Sequence, residues 1–568
     1  MMLRLDFLGK TTYFTNPITI ITTYSLKEVL SCLQQVEQAI AAGYYAVGYV
    51  AYEAASAFNP HLLTANPHDD WPLIWFAIFN QPTSHLPNHP TADIRSINWQ
   101  ANVNHQQYQQ AIETIKSQIA EGNTYQTNYT IRLNGHFDQD PYALYLHLLQ
   151  AQRADYSAYL DLGDKVILSA SPELFFHYQQ GRILTKPMKG TAARGLTSVD
   201  DEIQRQQLFS EKNQAENMMI VDLLRNDLNQ VAKTGTVNVE QLFASERYPT
   251  VWQMTSTISA ELPPSISMTQ LFTALFPCGS ITGAPKQSTM AVITDLEGEA
   301  RGVYCGAIGM ITPDDEAIFN VAIRTLTLNK NSGQAQYGVG GGITWDSTAK
   351  DEYQEIINKA QILYQSPLPH QLLESLLLED GNYFLLNRHL ERLAASADYF
   401  GFTYSSPTLQ KQLYRYAEQY KKGAYKVRVL LAIDGQLTLS VEPITKLCNQ
   451  PLYASFADKP VNSRNPFLYH KTTRREFYPA ATLNKEYLLF NERDEITEFV
   501  NGNIVLIIDG EWLTPELHCG LLPGTLRSQW LIEQKIKPAI LTRSDIKRAD
   551  KIIFINSVRK WRNVCWQG

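Results

Sequence analysis

Lys189 lies in Thr185-Lys-Pro-Met-Lys-Gly-Thr-Ala-Ala-Arg194, with Pro187 and Gly190 constraining the chain on either side of its amine. An amine attacks carbon only in its neutral form, so a lysine held where protonation is disfavoured is a candidate nucleophile. The bland alternative is a solvated charge in a turn punctuated by Pro and Gly. Carboxylates supply complementary chemistry. Glu173 follows the apolar run Val166 to Ala170, Glu216 begins Glu216-Asn-Met-Met-Ile-Val-Asp-Leu-Leu-Arg-Asn-Asp227, and Glu352 and Glu355 stand three residues apart. Magnesium prefers oxygen ligands and commonly takes one or two carboxylates besides an anionic ligand and waters, a set these glutamates could provide. The alternatives are that Glu216 complements a helix dipole and that Glu355 pairs with Lys359 at i,i+4.

The elements that must hold these groups can be read from hydrophobic period. Val166–Ala170 and Ala317–Leu326 alternate like strands, whereas 202–228 and 349–364 repeat at helical spacing, with Met219, Ile220, Leu223 and Leu224 facing the core of a helix that Glu216 opens. The fold class is α+β. A boundary falls in Tyr364-Gln-Ser-Pro-Leu-Pro-His-Gln371, where two prolines follow a helical pattern and a strand-like run, Leu372 to Leu378, begins. Two modules result, 1–364 and 371–568. The stretch 60–100, rich in Pro, His and Asn, reads as a surface excursion.

A chain of 568 residues exceeds a single core. Net charge −7 and a pI near 6.0, with scattered basic residues, give no reason to expect nucleic acid or an anionic membrane as partner. Six dispersed cysteines, Cys32, Cys278, Cys305, Cys448, Cys519 and Cys565, form no CxxC pair or disulfide framework, as in a reducing cytoplasm. Neither an export signal nor an apolar run of about 18 residues is present, so a soluble, cytoplasmic protein is expected.

The ordered patches Ser171-Pro-Glu173, Lys189-Gly-Thr191, Glu216 to Asp227, Gly279-Ser-Ile-Thr-Gly-Ala-Pro-Lys286 and Gly338-Val-Gly-Gly-Gly-Ile343, leading to Glu352 and Glu355, resemble the chorismate-utilising enzymes. Relatives have two antiparallel sheets packed with helices around a cleft. Lys189 is diagnostic in this resemblance. Anthranilate synthases carry alanine there, while lysine marks aminodeoxychorismate synthase component I and the isochorismate and salicylate synthases. The resemblance implies that Lys189 attacks C2 of chorismate, with Glu173 as general acid and Ser280 hydrogen-bonding near the same centre. Gly190, Thr191 and Thr282 line the ring pocket. Tyr304, Arg324 and Gly340, Gly341 and Gly342 bind a carboxylate, and Glu216, Glu352 and Glu355 hold magnesium. Two departures stand out. Gln253 replaces a histidine associated with pyruvate elimination, and Asn213 replaces an aspartate preceding the Glu216 helix.

In the second module, Leu385-Leu-Asn-Arg-His-Leu-Glu-Arg-Leu, His470-Lys-Thr-Thr-Arg-Arg-Glu-Phe-Tyr478, Ile496-Thr-Glu-Phe-Val-Asn-Gly-Asn503 and Leu521-Leu-Pro-Gly-Thr-Leu-Arg527 resemble the fold-type IV pyridoxal-phosphate enzymes. These have a small α/β lobe beside a barrel-like lobe. The resemblance makes Lys471 the cofactor lysine, Glu498 the partner of its ring nitrogen, and Arg392, Gly524 and Thr525 phosphate ligands, with Leu526 where many relatives have threonine. Read alone, Arg392 could pair with Glu391 or Asp398, and Lys471 could belong to a basic patch with Arg474 and Arg475. Joined, the modules imply synthesis of 4-aminobenzoate from chorismate through 4-amino-4-deoxychorismate and pyruvate release. With no glutaminase signature in the chain, ammonia would come from a separate amidotransferase subunit. A homodimer through the second module is a further expectation. The alternatives are an isochorismate or salicylate synthase joined to an aminotransferase, or a synthase with a non-catalytic second module.

Overall fold

Ile74-Trp-Phe-Ala-Ile-Phe79 is apolar throughout and forms a strand buried at every position, as a short unbroken apolar run allows. It pairs on one side with Tyr45–Val50 and on the other with Thr19–Thr23. This corrects the surface-excursion reading of 60–100, because the Pro, His and Asn residues flank a core strand. The computed structural model describes residues 1–68, 70–83, 97–364, 368–444 and 451–567. Cys448, residues 84–96 of the supposed excursion and 365–367 of the proposed linker lie outside that set.

The chain divides into two units, Met1–Arg194 with Gln204–Pro367, and Gly195–Ile203 with Leu368–Gly568. The first unit contains a nine-stranded and a ten-stranded sheet among the described residues. A core cluster drawing Leu3, Leu160 and Ile167 from one sheet and Val47, Phe176 and Phe319 from the other packs them together. The other face of the nine-stranded sheet is covered by helices His105–Ala120, Pro141–Gln152 and Ala349–Ala360, through residues such as Tyr108, Ile112, Leu148 and Ile356.

The Ala317 run is two strands, Glu316–Val321 and Thr325–Asn329, in different sheets. The break contains Arg324 at φ 50°, a left-handed conformation uncommon for a side-chain-bearing residue. The helical stretch 202–228 is also two elements, Ser198–Gln207 and Glu211–Asn229. The second is capped by the Ser210 side chain, which accepts from the Asn213 N–H. Glu216 therefore lies in the second turn and does not open the helix, which removes the dipole explanation.

In the second unit, Gln371–Glu379, Asn382–Tyr383, Ala424–Ala432 and Leu437–Pro443 form an antiparallel four-stranded sheet. Helices Leu386–Phe400 and Ser406–Gln419 cover it over Leu376, Leu393, Leu413 and Val429. An eight-stranded sheet, parallel and antiparallel by turns, makes the larger lobe, its core built from Leu488, Phe499, Ile504 and Phe554. Among the described residues, no helix is long and apolar enough to cross a membrane.

Candidate active sites

A cavity of about 280 Å³ in the first unit is lined by Glu173, Lys189, Gly190, Thr191, Glu216, Ser280, Tyr304, Arg324, Glu352, Glu355 and the glycines 340 to 342. Lys189 reaches it through a local irregularity. Met188 pairs with Thr255 but Thr191 with Gln253, so one extra residue is accommodated, and Gly190 takes φ 95°. A bulge of this kind re-aims a side chain and frees carbonyls from the ladder. Side-chain amides catch them: Asn217 Nδ2 donates to Lys189 O at 3.2 Å, and Gln253 Nε2 to Gly190 O at 2.9 Å. Thr191 Oγ1 donates to Gln253 Oε1 at 3.1 Å, and Ser256 Oγ to Asn217 Oδ1 at 2.5 Å. Gln253 is thus a clamp on the turn that presents the lysine.

Burial, followed by the field of Lys359, lowers the Lys189 pKa, although Glu216, Glu355 and Glu173 oppose the shift. Glu173 is 2% exposed, and burial lifts its carboxyl to about 7 against the opposing pull of Ser280, the Met188 backbone and Lys189. Its Oε1 has no hydrogen-bond partner among the described residues. An amine biased toward neutrality and a carboxyl retaining its proton near neutral pH therefore line one cavity, the pairing that nucleophilic attack with leaving-group protonation requires.

Glu352 accepts from Ser347 Oγ at 2.6 Å. Glu355 pairs with Lys359 at 2.7 Å, and Lys359 also donates to Gly340 O at 2.8 Å. The i,i+4 pair is real, and it lines the cavity rather than lying apart from it. Burial raises Glu216 and Glu352, while Lys359 holds Glu355 below its usual range. Among the described residues, no group of three or more His, Cys, Asp or Glu side chains forms a ready cage for a metal. The donors nevertheless suit magnesium, which takes only part of its shell from protein. Asn213 donates its amide to Leu208 O at 2.9 Å, so it anchors the start of the helix.

Arg324 Nη1 donates to Gln152 Oε1 at 2.7 Å, which fixes its fork at the cavity wall. A Cβ on Gly338 would strike the Tyr304 ring, one on Gly340 the Tyr129 carbonyl, and one on Gly342 the Lys189 amine and the Gln126 amide. Backbone approaches closely there because those side chains are absent. Thr282 departs from its expected place. It is fully buried, its hydroxyl donates to the carbonyls of Cys278 and Gly279 at 3.2 Å, and it does not line the cavity.

The second unit holds a larger cavity, about 710 Å³, lined by Arg392, Lys471, Glu498, Gly524, Thr525 and Leu526 among others. Burial, reinforced by Arg392 and Arg475, lowers the Lys471 pKa to about 8, and burial raises that of Glu498 to about 7. Glu498 accepts from Tyr478 Oη at 2.9 Å and Asn503 Nδ2 at 3.3 Å. Arg392 pairs with neither Glu391 nor Asp398. Its Nε and Nη2 donate to the buried Glu374 carboxylate at 2.8 and 2.7 Å, and its Nη1 to Pro523 O at 3.2 Å. His389 Nδ1 is 2.7 Å from Glu374, and its Nε2 is 3.3 Å from Thr525 Oγ1, so one network reaches the Gly524–Thr525 turn. That turn begins helix Thr525–Ile532, whose first N–H groups lack a side-chain cap, an arrangement suited to an anion. An amine, a protonatable carboxyl and an anion cradle fit pyridoxal phosphate. Leu526 adds no hydroxyl; it packs with Val505, Ile536 and Ile553. Asn217, Lys359, Glu374 and His389 went unassigned from sequence, and only the Glu355–Lys359 spacing signalled any of them.

Residues 83–365 match the chorismate binding enzyme family and residues 371–565 the amino-transferase class IV family. Aminodeoxychorismate synthase component 1 of Salmonella typhimurium is 41% identical over 262 residues, 46% of this chain and 57% of that protein. Its counterpart in Bacillus subtilis is 39% identical over 255 residues, 44% of this chain and 54% of that protein. The chain thus spans little more than half the length of these relatives. Anthranilate synthase component I of Streptococcus pneumoniae shares the fold at a TM-score of 0.55 and 23% identity, covering 64% of this chain and 92% of that one.

Proposed function

From a chain that carries a chorismate binding enzyme domain followed by a class IV aminotransferase domain, we propose synthesis of 4-aminobenzoate in two consecutive steps. The first is assigned to residues 1–364, the second to 371–568. The observation that carries this reading is Lys189, biased toward the neutral amine, sharing a cavity with Glu173, whose carboxyl keeps its proton to about pH 7.

In the first step the Lys189 amine forms a bond to C2 of chorismate as the C4 hydroxyl leaves, taking the Glu173 proton to depart as water. Ammonia then adds at C4 and Lys189 departs from C2, so chorismate plus ammonia gives 4-amino-4-deoxychorismate plus water. Arg324, the Gly340–Gly342 backbone and Tyr304 would hold the enolpyruvyl carboxylate. Glu216, Glu352 and Glu355 would hold magnesium, which supplies positive charge for the ring carboxylate. Ammonia would come from a separate glutamine amidotransferase, as component 1 in the relatives' names suggests.

In the second step 4-amino-4-deoxychorismate yields 4-aminobenzoate and pyruvate. Pyridoxal phosphate, when bound, supplies the electron sink for this elimination. Lys471, with a pKa of about 8, is suited to take the C4 proton and later return one to the leaving enolpyruvate. Glu498 would orient the cofactor ring, and Thr525, Gly524 and Arg392 would face its phosphate. The described cysteines are free thiols, which supports a reducing compartment such as the cytoplasm.

Mass spectrometry of products from the purified chain with chorismate, magnesium and ammonium, with and without pyridoxal phosphate, tests the proposal. The expected result is 4-aminobenzoate plus pyruvate with the cofactor and accumulated 4-amino-4-deoxychorismate without it. Isochorismate, salicylate or anthranilate would overturn the first assignment. The amino intermediate alone under both conditions would overturn the second.

A further inference from the structure

Cys278 is buried two residues before Ser280, which lines the cavity of the first unit. Its Sγ stands 3.3 Å from Ser280 Oγ. The backbone around the pair is held in place. The Thr282 hydroxyl donates to Cys278 O at 3.2 Å and the Ile281 N–H to the same carbonyl at 3.3 Å, while Gly279 lies so close to Leu223 that a Cβ would strike it. A hydroxyl has one hydrogen to donate and two lone pairs with which to accept. Burial and the charge of Glu173 push the Cys278 thiol up to about 12, so it keeps its hydrogen, with the Ser280 oxygen in reach. The Ser280 hydrogen is then left for Glu173, on whose carboxyl Ser280 exerts the strongest pull against burial. Lys189 and Lys359 also face Glu173, and Lys286, paired with Asp227 at 2.7 Å, faces Cys278. Glu173 Oε1, without a partner among the described residues, remains for a ligand.

We propose that Cys278 is a positioning residue for the amination: its thiol donates to Ser280 Oγ, which turns the Ser280 hydrogen toward Glu173 and leaves Glu173 Oε1 to give its proton to the departing hydroxyl. The inference rests on the amination reading of this cavity and adds to it a residue that does not line the cavity. No proton travels along the chain of three. Glu173 alone loses one, and Ser280 steadies the carboxylate left behind. Without the thiol the Ser280 hydroxyl rotates, Glu173 loses a directed donor, and its carboxyl releases the proton less readily.

Alanine and serine both remove the sulfur, but only serine returns a donor, so packing and positioning are separable. The test is infrared spectroscopy of the full chain without chorismate, across about pH 5 to 9, following the carbonyl band of a protonated carboxyl that Glu173→Gln removes. Amination of chorismate with magnesium and ammonium is measured beside it. In Cys278→Ala the band should vanish about 0.5 pH unit higher than in the unaltered protein, and amination should fall about fivefold with its alkaline limb displaced the same way. Cys278→Ser should bring midpoint and rate back toward those of the unaltered protein. An unmoved midpoint in Cys278→Ala, or a serine variant that behaves as the alanine one does, would overturn the role of the thiol. If the chain aminates no chorismate, the amination reading fails, while midpoints in the expected order still support the link from Cys278 through Ser280 to Glu173.

Discussion

At the scale of single residues, Lys189 and Glu173 are opposed in their demands on pH. The Glu173 carboxyl titrates at about 7 when folded against 4.5 in its ordinary state. The stability it contributes is therefore fully present below about 4.5 and is lost as pH rises through about 7. The proposed amination, which would need the protonated carboxyl, should fall over the same upper range. Glu173→Gln should lose about 10²-fold or more in turnover, while unfolding measured between about pH 4.5 and 7 becomes less pH-dependent than in the unaltered protein. Lys189→Ala should abolish the chorismate-dependent mass adduct on the protein, which intact-protein mass spectrometry detects. Lys189, Glu173 and the three glutamates were nameable from residue type and motif. The Gln253 and Asn217 clamps were not, because they form across a strand pair and between helix and turn. Nor was Glu374, a buried partner 18 residues from Arg392 whose local sequence carries no mark of its role.

Among elements, the glycine strand Gln334–Ile343 separates packing from chemistry. A Cβ at Gly340 meets fixed backbone, the Tyr129 carbonyl, whereas one at Gly342 meets side-chain ends, those of Lys189 and Gln126. Gly340→Ala should therefore lower Tm by about 1–4 °C, a core-overpacking effect of about 1–3 kcal/mol in a unit of this size. Gly342→Ala should leave Tm nearly unchanged and reduce amination about 10²-fold through displacement of the amine; calorimetry beside product assay distinguishes the two. Period identified the helix carrying Glu216, but its start was set by the Ser210 cap, which the Met and Leu spacing did not reveal. The Ala317 run similarly hid a transfer between sheets at Arg324, since alternation reports facing and says nothing of which sheet a strand joins. Strand Ile74–Phe79 was masked by the composition around it.

For the whole molecule, the two cavities draw on separate residue sets, so the two proposed reactions should be separable by mutation. Lys189→Ala should still convert supplied 4-amino-4-deoxychorismate to 4-aminobenzoate, and Lys471→Ala should still consume chorismate and ammonium; chromatography of both products decides. Motif order along 568 residues pointed to both proposed chemistries, whereas the shape and charge of the larger cavity arise from residues, such as Arg428 and Arg559, that only folding brings to it. The charge of that cavity has a kinetic consequence. The chain as a whole is negative, by seven charges, yet an anion entering the larger cavity meets seven lysine and arginine side chains against three glutamates. The distant field repels what the near field captures, and dissolved ions screen the distant part first, with a Debye length of about 8 Å at physiological ionic strength. Capture of a dianion should therefore be fastest at intermediate ionic strength, slowed in dilute buffer by long-range repulsion and in concentrated buffer by loss of focusing at the cavity mouth.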